Sequence, residues 1–179
     1  DPRDYYIDED RTKGYWAHDD FDFFNPKFGI NYQINNHNRL YASYAISHKE
    51  PTRNDYQDNE VQHLKAEKLQ DVEFGYRYES PKLTAGANFY YMYYNHQYVL
   101  TGELNDIGEM IASNENSGRS YREGVELEGA WKPVDWFRWD INATLSRNIC
   151  KDWTVTLDDG TSYNLGDTHT AFSPDIVFN

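Results

Sequence analysis

The chain has 179 residues, with 30 Asp and Glu against 17 Lys and Arg for a formal charge of −13, a balance that repels phosphate backbones and argues against nucleic acid as a partner. Phe, Trp and Tyr make up 17% of it, more aromatic surface than a disordered polyelectrolyte carries. Its single cysteine, Cys150, excludes an intrachain disulfide, and no run approaches the ~20 apolar residues of a spanning helix, which leaves strands as the one way this chain could cross a bilayer.

In chain order, the first 24 residues, with "YYIDEDRTKGYWAHDDFD" at Tyr5 to Asp22, form an acidic segment expected as a solvated loop. "FGINYQI" then alternates. Phe28, Ile30, Tyr32 and Ile34 fall on one side and Gly29, Asn31 and Gln33 on the other, the period of a strand. After "NNHN" at 35–38, Leu40, Ala42, Tyr44 and Ile46 resume one face, and the pair reads as a hairpin. "VEFGYRY" and "LTAGANFYYMYY" make a second hairpin around 79–82, aligning Val72, Phe74 and Tyr76 in one strand and Phe89, Tyr91 and Tyr93 in the next. "YREGVELEGAW" and "WFRWDINATLS" make a third around 132–135, with Val125, Leu127 and Trp131 against Glu126 and Glu128. No apolar set recurs at helical spacing over a useful length, so no helix is expected.

Connection lengths carry the next step. The turns at 35–38, 79–82 and 132–135 are tight, whereas the links at about 49–67, 102–119 and 149–170 are long and polar. Strict alternation of short and long connections belongs to an outer-membrane barrel, with short periplasmic turns on one rim and long extracellular loops on the other. The expected fold is therefore all-β, an antiparallel up-and-down meander of about seven strands over 25–179, preceded by an extracellular loop at 1–24. About ten residues per strand, at ~3.3 Å each and tilted roughly 45°, rise about 23 Å, the height of an outer-membrane apolar band. In "GANFYYMYYNHQY", Phe89, Tyr91 and Tyr93 then face lipid and the upper tyrosines form an interfacial girdle, while Asn88, Tyr90, Met92 and Tyr94 face the interior. Burial of Phe74, Phe89 and Phe137 between two stacked layers would exclude this reading and favour a soluble secreted β-sandwich binding carbohydrate on a tyrosine-lined face. A lipocalin-like closed barrel is a third architecture, and it needs a self-closing strand set.

The segments "KEPTRNDY", "LKAEKLQDVEFGYRY" and "SYREGVELE", in that order and spacing, resemble the C-terminal barrel region of TonB-dependent outer-membrane receptors, particularly those of Bacteroidetes type. The resemblance runs from about Phe24 onward. It implies a segment of a 22-stranded transmembrane barrel with a plug domain inside it, energised by TonB and importing a scarce ligand. A ferric siderophore or other iron complex is the ligand the motif wording most resembles; oligosaccharide and cobalamin are alternatives within the same family. No plug or TonB-contact box precedes Asp1, and the chain stops at "SPDIVFN", so the expectation is a fragment without plug domain or closing strands. TonB would be reached through the missing plug, outer-membrane lipid would surround the wall, and open sheet edges would favour self-association.

Side-chain chemistry points to binding rather than catalysis. His18, His37, His48, His63, His96 and His169 include no pair at i, i+2 or i, i+4, so no metal site is expected. "LDDGTSYN" at 157–164 lacks the full spacing of a calcium loop and reads as a turn at Asp158–Gly160. Glu126 and Glu128 share one strand face and cannot flank a glycosidic bond from opposite sides, and no nucleophile, phosphate-loop or CxxC motif occurs; neither enzyme activity nor a cofactor is expected. By position, the candidate ligand-binding residues are Arg53 and Tyr56 in the 49–67 loop, Tyr94 and Tyr98 at the top of their strand, and Arg119 and Tyr121 at the next descent. Arg53 with Tyr56 is the expected contact for an anionic ferric chelate.

Overall fold

In the computed structural model, residues 3–10, 13–59, 64–105, 107–114, 118–156 and 161–179 are described. Two strands, β1 (Arg3–Asp10) and β2 (Lys13–Asp19), pair as a hairpin of their own. The wall begins with β3 (Lys27–Asn35) and β4 (Asn38–Lys49). Their turn is closed by Asn35, whose Oδ1 accepts from the His37 N–H at 2.9 Å and from Asn38 Nδ2 at 2.7 Å, the local side-chain chemistry that makes Asn a turn-former. A short helix, α1 (Arg53–Asn59), leads to β5 (Glu67–Glu79), which turns into β6 (Leu83–Asn95). A two-stranded excursion, β7 (Val99–Leu104) with β8 (Met110–Ser113), precedes β9 (Arg119–Val134) and β10 (Phe137–Thr156). β11 (Ser162–His169) and β12 (Ile176–Phe178) then lie in succession along one side of β10.

The wall is antiparallel in the order β11–β10–β9–β6–β5–β4–β3, with β12 also on β10. The sheet is open. Side-chain alternation is kept in step from strand to strand by the pairing. Ile30, Ala42, Phe74, Phe89, Val125, Leu145 and Ile176 stand abreast as one apolar row. One residue along, on the opposite face, stand Asn31, Tyr41, Gly75, Asn88, Glu126 and Thr144. A slip of one residue in any strand would exchange the two rows, so this register is strongly selected wherever the two faces meet different solvents.

No second layer covers the apolar face among the described residues. Phe74 is 49%, Phe89 52% and Phe137 41% exposed, the reverse of what a sandwich core requires. Among the described residues the buried hydrophobic side chains lie instead at the end of the wall away from the tight turns: Tyr56, Leu64, Tyr94, Val99, Ile149 and Cys150. The apolar face is bounded by aromatic rings. Trp131, flanked by Leu83 and Trp139 and edge-on to Phe137, marks the turn end, and Tyr121, abreast of Tyr93 and stacked on Tyr91 at 6.1 Å, marks the other. Tyr121 and Trp131 lie about ten residues apart on β9, or about 23 Å of tilted rise.

Five segments differ from the expectation of plain loops and turns: the first 24 residues hold the β1–β2 hairpin, the 102–119 link holds β8 and the end of β7, and three more follow. The 49–67 link contains α1, because Thr52 and Asp55 close its first turn: the Thr52 N–H and hydroxyl donate to Asp55 Oδ2 at 2.7 and 2.8 Å, and the Asp55 N–H returns to Thr52 Oγ1 at 3.3 Å, a capping box. The third turn sits at residues 135–136 rather than 132–135, since β9 runs on to Val134, paired with Phe137. Much of the 149–170 link is strand, because β10 continues to Thr156 and pairs there with β11.

Candidate functional site

At the loop end, three connections pack into one body. Tyr56 is the anchor: its side chain is completely buried, and its hydroxyl donates to Asp19 Oδ2 at 2.5 Å, joining α1 to the end of β2. Asn105 Nδ2 donates to Asp58 Oδ1 at 3.2 Å, and Asn114 Nδ2 donates to the Lys65 carbonyl at 2.9 Å. Tyr98 completes the junction. Its N–H donates to Glu67 Oε2 at 3.1 Å and its hydroxyl to the Lys65 carbonyl at 3.3 Å, while Lys49 Nζ lies 5.9 Å from its ring centre. Ser120 and Gln97, both buried, are joined by a hydrogen bond from the hydroxyl to Oε1. Buried polar groups satisfied in this way fix a single arrangement, since each would cost about 1–3 kcal/mol if left unpaired. His96, in the positive-φ conformation at 53°, sits at the entry to the excursion, and burial, reinforced by Lys65, lowers its pKa.

Below this body, the polar face of the wall carries a groove of about 540 Å³ lined by Arg39, Tyr41, Arg77, Asn88, Glu126 and Glu128 among others. Arg77 is its pivot, with Nη1 2.7 Å from Glu128 Oε1 and Nε 2.6 Å from Glu79 Oε1. Asn88 Nδ2 reaches Glu126 Oε2 at 3.3 Å. The Tyr41 ring lies across Gly75 so closely that a Cβ there would stand 2.1 Å from Cζ; only glycine admits this cover. Higher on the same face, the Arg122 guanidinium lies 5.4 Å from the Tyr94 ring centre, a cation–π contact.

The structure separates the six candidate residues. Arg53 is exposed on the first turn of α1. Tyr56, expected beside it as a ligand contact, is buried against Asp19, because the helix turns position 56 towards the packed side. Tyr94 is on the polar face and buried beneath Arg122, and Tyr98 is half-buried at the loop junction. Arg119 and Tyr121 lie on the apolar, outward face, in step with Val125 and Leu127; odd positions of β9 point away from the groove. Asp19, Gln97, Asn114 and Ser120 belong to the packed body and carry no sequence signal of their own; the Thr52–Asp55 capping spacing, not used in the sequence reading, is a local signal that could have pointed to α1. Among the described residues no three metal-ligating side chains converge. His63 and the turn at 158–160 lie outside the described residues, as does the His18 side chain.

Comparison with known proteins agrees with this architecture. Residues 3–179 match the family model described as TonB dependent receptor-like, beta-barrel. The pesticin receptor of Yersinia enterocolitica is 32% identical over 83 residues, 46% of this chain and 12% of the receptor. Among solved structures, the ferric yersiniabactin uptake receptor of Yersinia pestis is similar with a TM-score of 0.62 and 22% identity, covering 92% of this chain and 23% of that one. The ferric-catecholate import receptor of Escherichia coli K12 is similar with a TM-score of 0.60 and 18% identity, covering 93% and 22%. These relatives are transport receptors rather than enzymes, and the chain spans only about an eighth to a quarter of their length. A two-faced antiparallel wall matched along nearly its whole length to one family model leaves a single assignment: this chain belongs to the TonB-dependent receptor β-barrel family.

Proposed function

We propose that the chain is a stretch of barrel wall, with its extracellular loops, from an outer-membrane receptor that takes up a ferric siderophore or related iron chelate in a TonB-dependent cycle. The observation that carries the reading is the pair of faces. Seven abreast apolar side chains with aromatic borders about 23 Å apart suit acyl chains, while the Arg77–Glu128 groove on the other side suits an aqueous or plug-filled interior. β-barrels of this family reside in the outer membrane; in this reading the tight turns face the periplasm and the packed loop body faces the medium.

Ligand capture falls to the loop body. Arg53 supplies an exposed cation and Tyr98 a ring at the junction, Tyr94 with Arg122 lines the descent below, and Tyr56 holds α1 in position without touching the ligand. An anionic chelate is matched by Arg53, because the guanidinium donates to carboxylate or catecholate oxygens in a fixed fork. The preference for iron is supported by the two structural neighbours named for ferric yersiniabactin and ferric catecholates. In the complete receptor, Arg53→Ala with Tyr98→Ala is expected to weaken uptake of a ferric chelate by about tenfold, the equivalent of one charge-assisted contact. Radio-iron uptake by cells carrying the variant checks this, and unchanged uptake rejects the loop assignment.

A further inference from the structure

Two buried atoms on the interior face are of opposite kinds and unpaired. Asp71 Oδ1 is an acceptor and Arg122 Nε a donor, each shut off from solvent without a hydrogen bond. They belong to one row: Asp71 on β5, Met92 on β6 and Arg122 on β9 stand abreast, one pleat below Tyr94 and Ser120 of the packed loop body. Neither side chain forms a hydrogen bond or ion pair with a described residue, and the Arg122 guanidinium rests on the Tyr94 ring at 5.4 Å from its centre. Backbones two strands apart are separated by about 9.6 Å. Met92 fills the position between them and accepts a weak hydrogen bond from the Tyr94 hydroxyl at 3.7 Å, so a flexible thioether separates the two charges.

A buried polar atom without a partner is costly, more so when it carries charge, and native structures keep few of them without a use. A donor and an acceptor on one row are complementary to a single group that offers an acceptor on one side and a donor on the other. A bare anion does not fit, because Asp71 offsets the charge of Arg122 and shares its face of β5 with Glu67 and Glu73. A secondary amide does fit: it is neutral, and its C=O and N–H point to opposite sides. We propose that Asp71 and Arg122 hold an amide group of the imported ligand below the loop body, Arg122 donating to its carbonyl and Asp71 accepting from its N–H, as Met92 moves aside. The inference rests on the ligand uptake proposed above and adds a second contact to it. Arg53 meets the anionic, iron-chelating part, and the buried pair reads the organic backbone that joins the chelating arms.

The complete receptor, titrated with two synthetic anionic ferric chelates that differ only in whether secondary amides or esters join their chelating arms, reports this contact as a ratio of affinities. An ester keeps the carbonyl and lacks the N–H. The wild type is expected to bind the amide-linked chelate about tenfold more tightly. Asp71→Ala removes that preference by weakening the amide-linked chelate alone, and Asp71→Asn, which keeps an acceptor, retains part of it. Arg122→Met weakens both chelates, whereas Arg53→Ala weakens both and leaves the preference intact. A wild type without preference, or a preference unchanged in Asp71→Ala, overturns the amide site, leaves the pair to a bridging water or to the receptor's own backbone, and does not touch the Arg53 contact. A wild type that binds neither chelate overturns the ligand reading and this site together.

Discussion

Tyr56 shows how one side chain can order a loop. Its hydroxyl donates to Asp19 from a fully buried ring, so Tyr56→Phe removes that hydrogen bond to a charged group and is expected to destabilise the loop body by about 1–3 kcal/mol. Hydrogen exchange over 49–67 in the complete receptor should accelerate accordingly, while the wall strands keep their protection. Thr52→Ala, which removes the cap, should cost about 1 kcal/mol in the same segment. Gly75 makes the opposite point. Any side chain there must displace the Tyr41 ring, so Gly75→Val is expected to lower the melting temperature of the receptor although the position lies on a polar, roomy face.

At the scale of the element, adjacent positions on β6 obey different solvents. Phe89→Lys puts a charge at mid-height on the lipid side and should cost about 2–4 kcal/mol of folding free energy in a bilayer. Asn88→Lys, one residue away beside Glu126, should be close to neutral; equal costs in a bilayer refolding titration would contradict the two-faced wall. The wall was readable because its period of two runs through every strand and its turns are marked by Asn, Ser-Pro and Pro. The loop body was not, because α1 has too few residues for periodicity and depends on Tyr56 meeting an aspartate 37 positions away. Arg119 and Tyr121 lie on the outward face, which a position near the rim does not reveal although counting in twos from Val125 does. The β7–β8 excursion carries a pH dependence of its own. His96 has a depressed pKa in the folded state, so folding favours the neutral ring. The excursion is at full stability above the ordinary value of about 6.5 and loses it as the pH falls below that value towards the folded pKa. Exchange over 96–114 should therefore quicken on acidification, and His96→Gln should flatten the response.

For the whole molecule, an open sheet with one apolar face has two unsatisfied demands: its edge strands β3 and β11–β12 offer free backbone groups, and Phe74, Phe89, Trp131 and Ile176 offer bare hydrocarbon. This chain taken alone into plain buffer should associate with itself through those edges. A monodisperse, fully protected monomer by light scattering and exchange would contradict the bilayer reading. The gap between β11 and β12 has a consequence of its own. β10 is zipped on that side by two short strands, and between them the Thr170 N–H reaches the Asn148 carbonyl at 3.1 Å and the Ser146 N–H reaches the Asp175 carbonyl at 2.7 Å, around Phe172 at a φ of 55°. Fraying that starts at the Thr156–Ser162 end of the β10–β11 pair meets a break in cooperativity there, so that end can open and reclose many times without unzipping the rest of the wall.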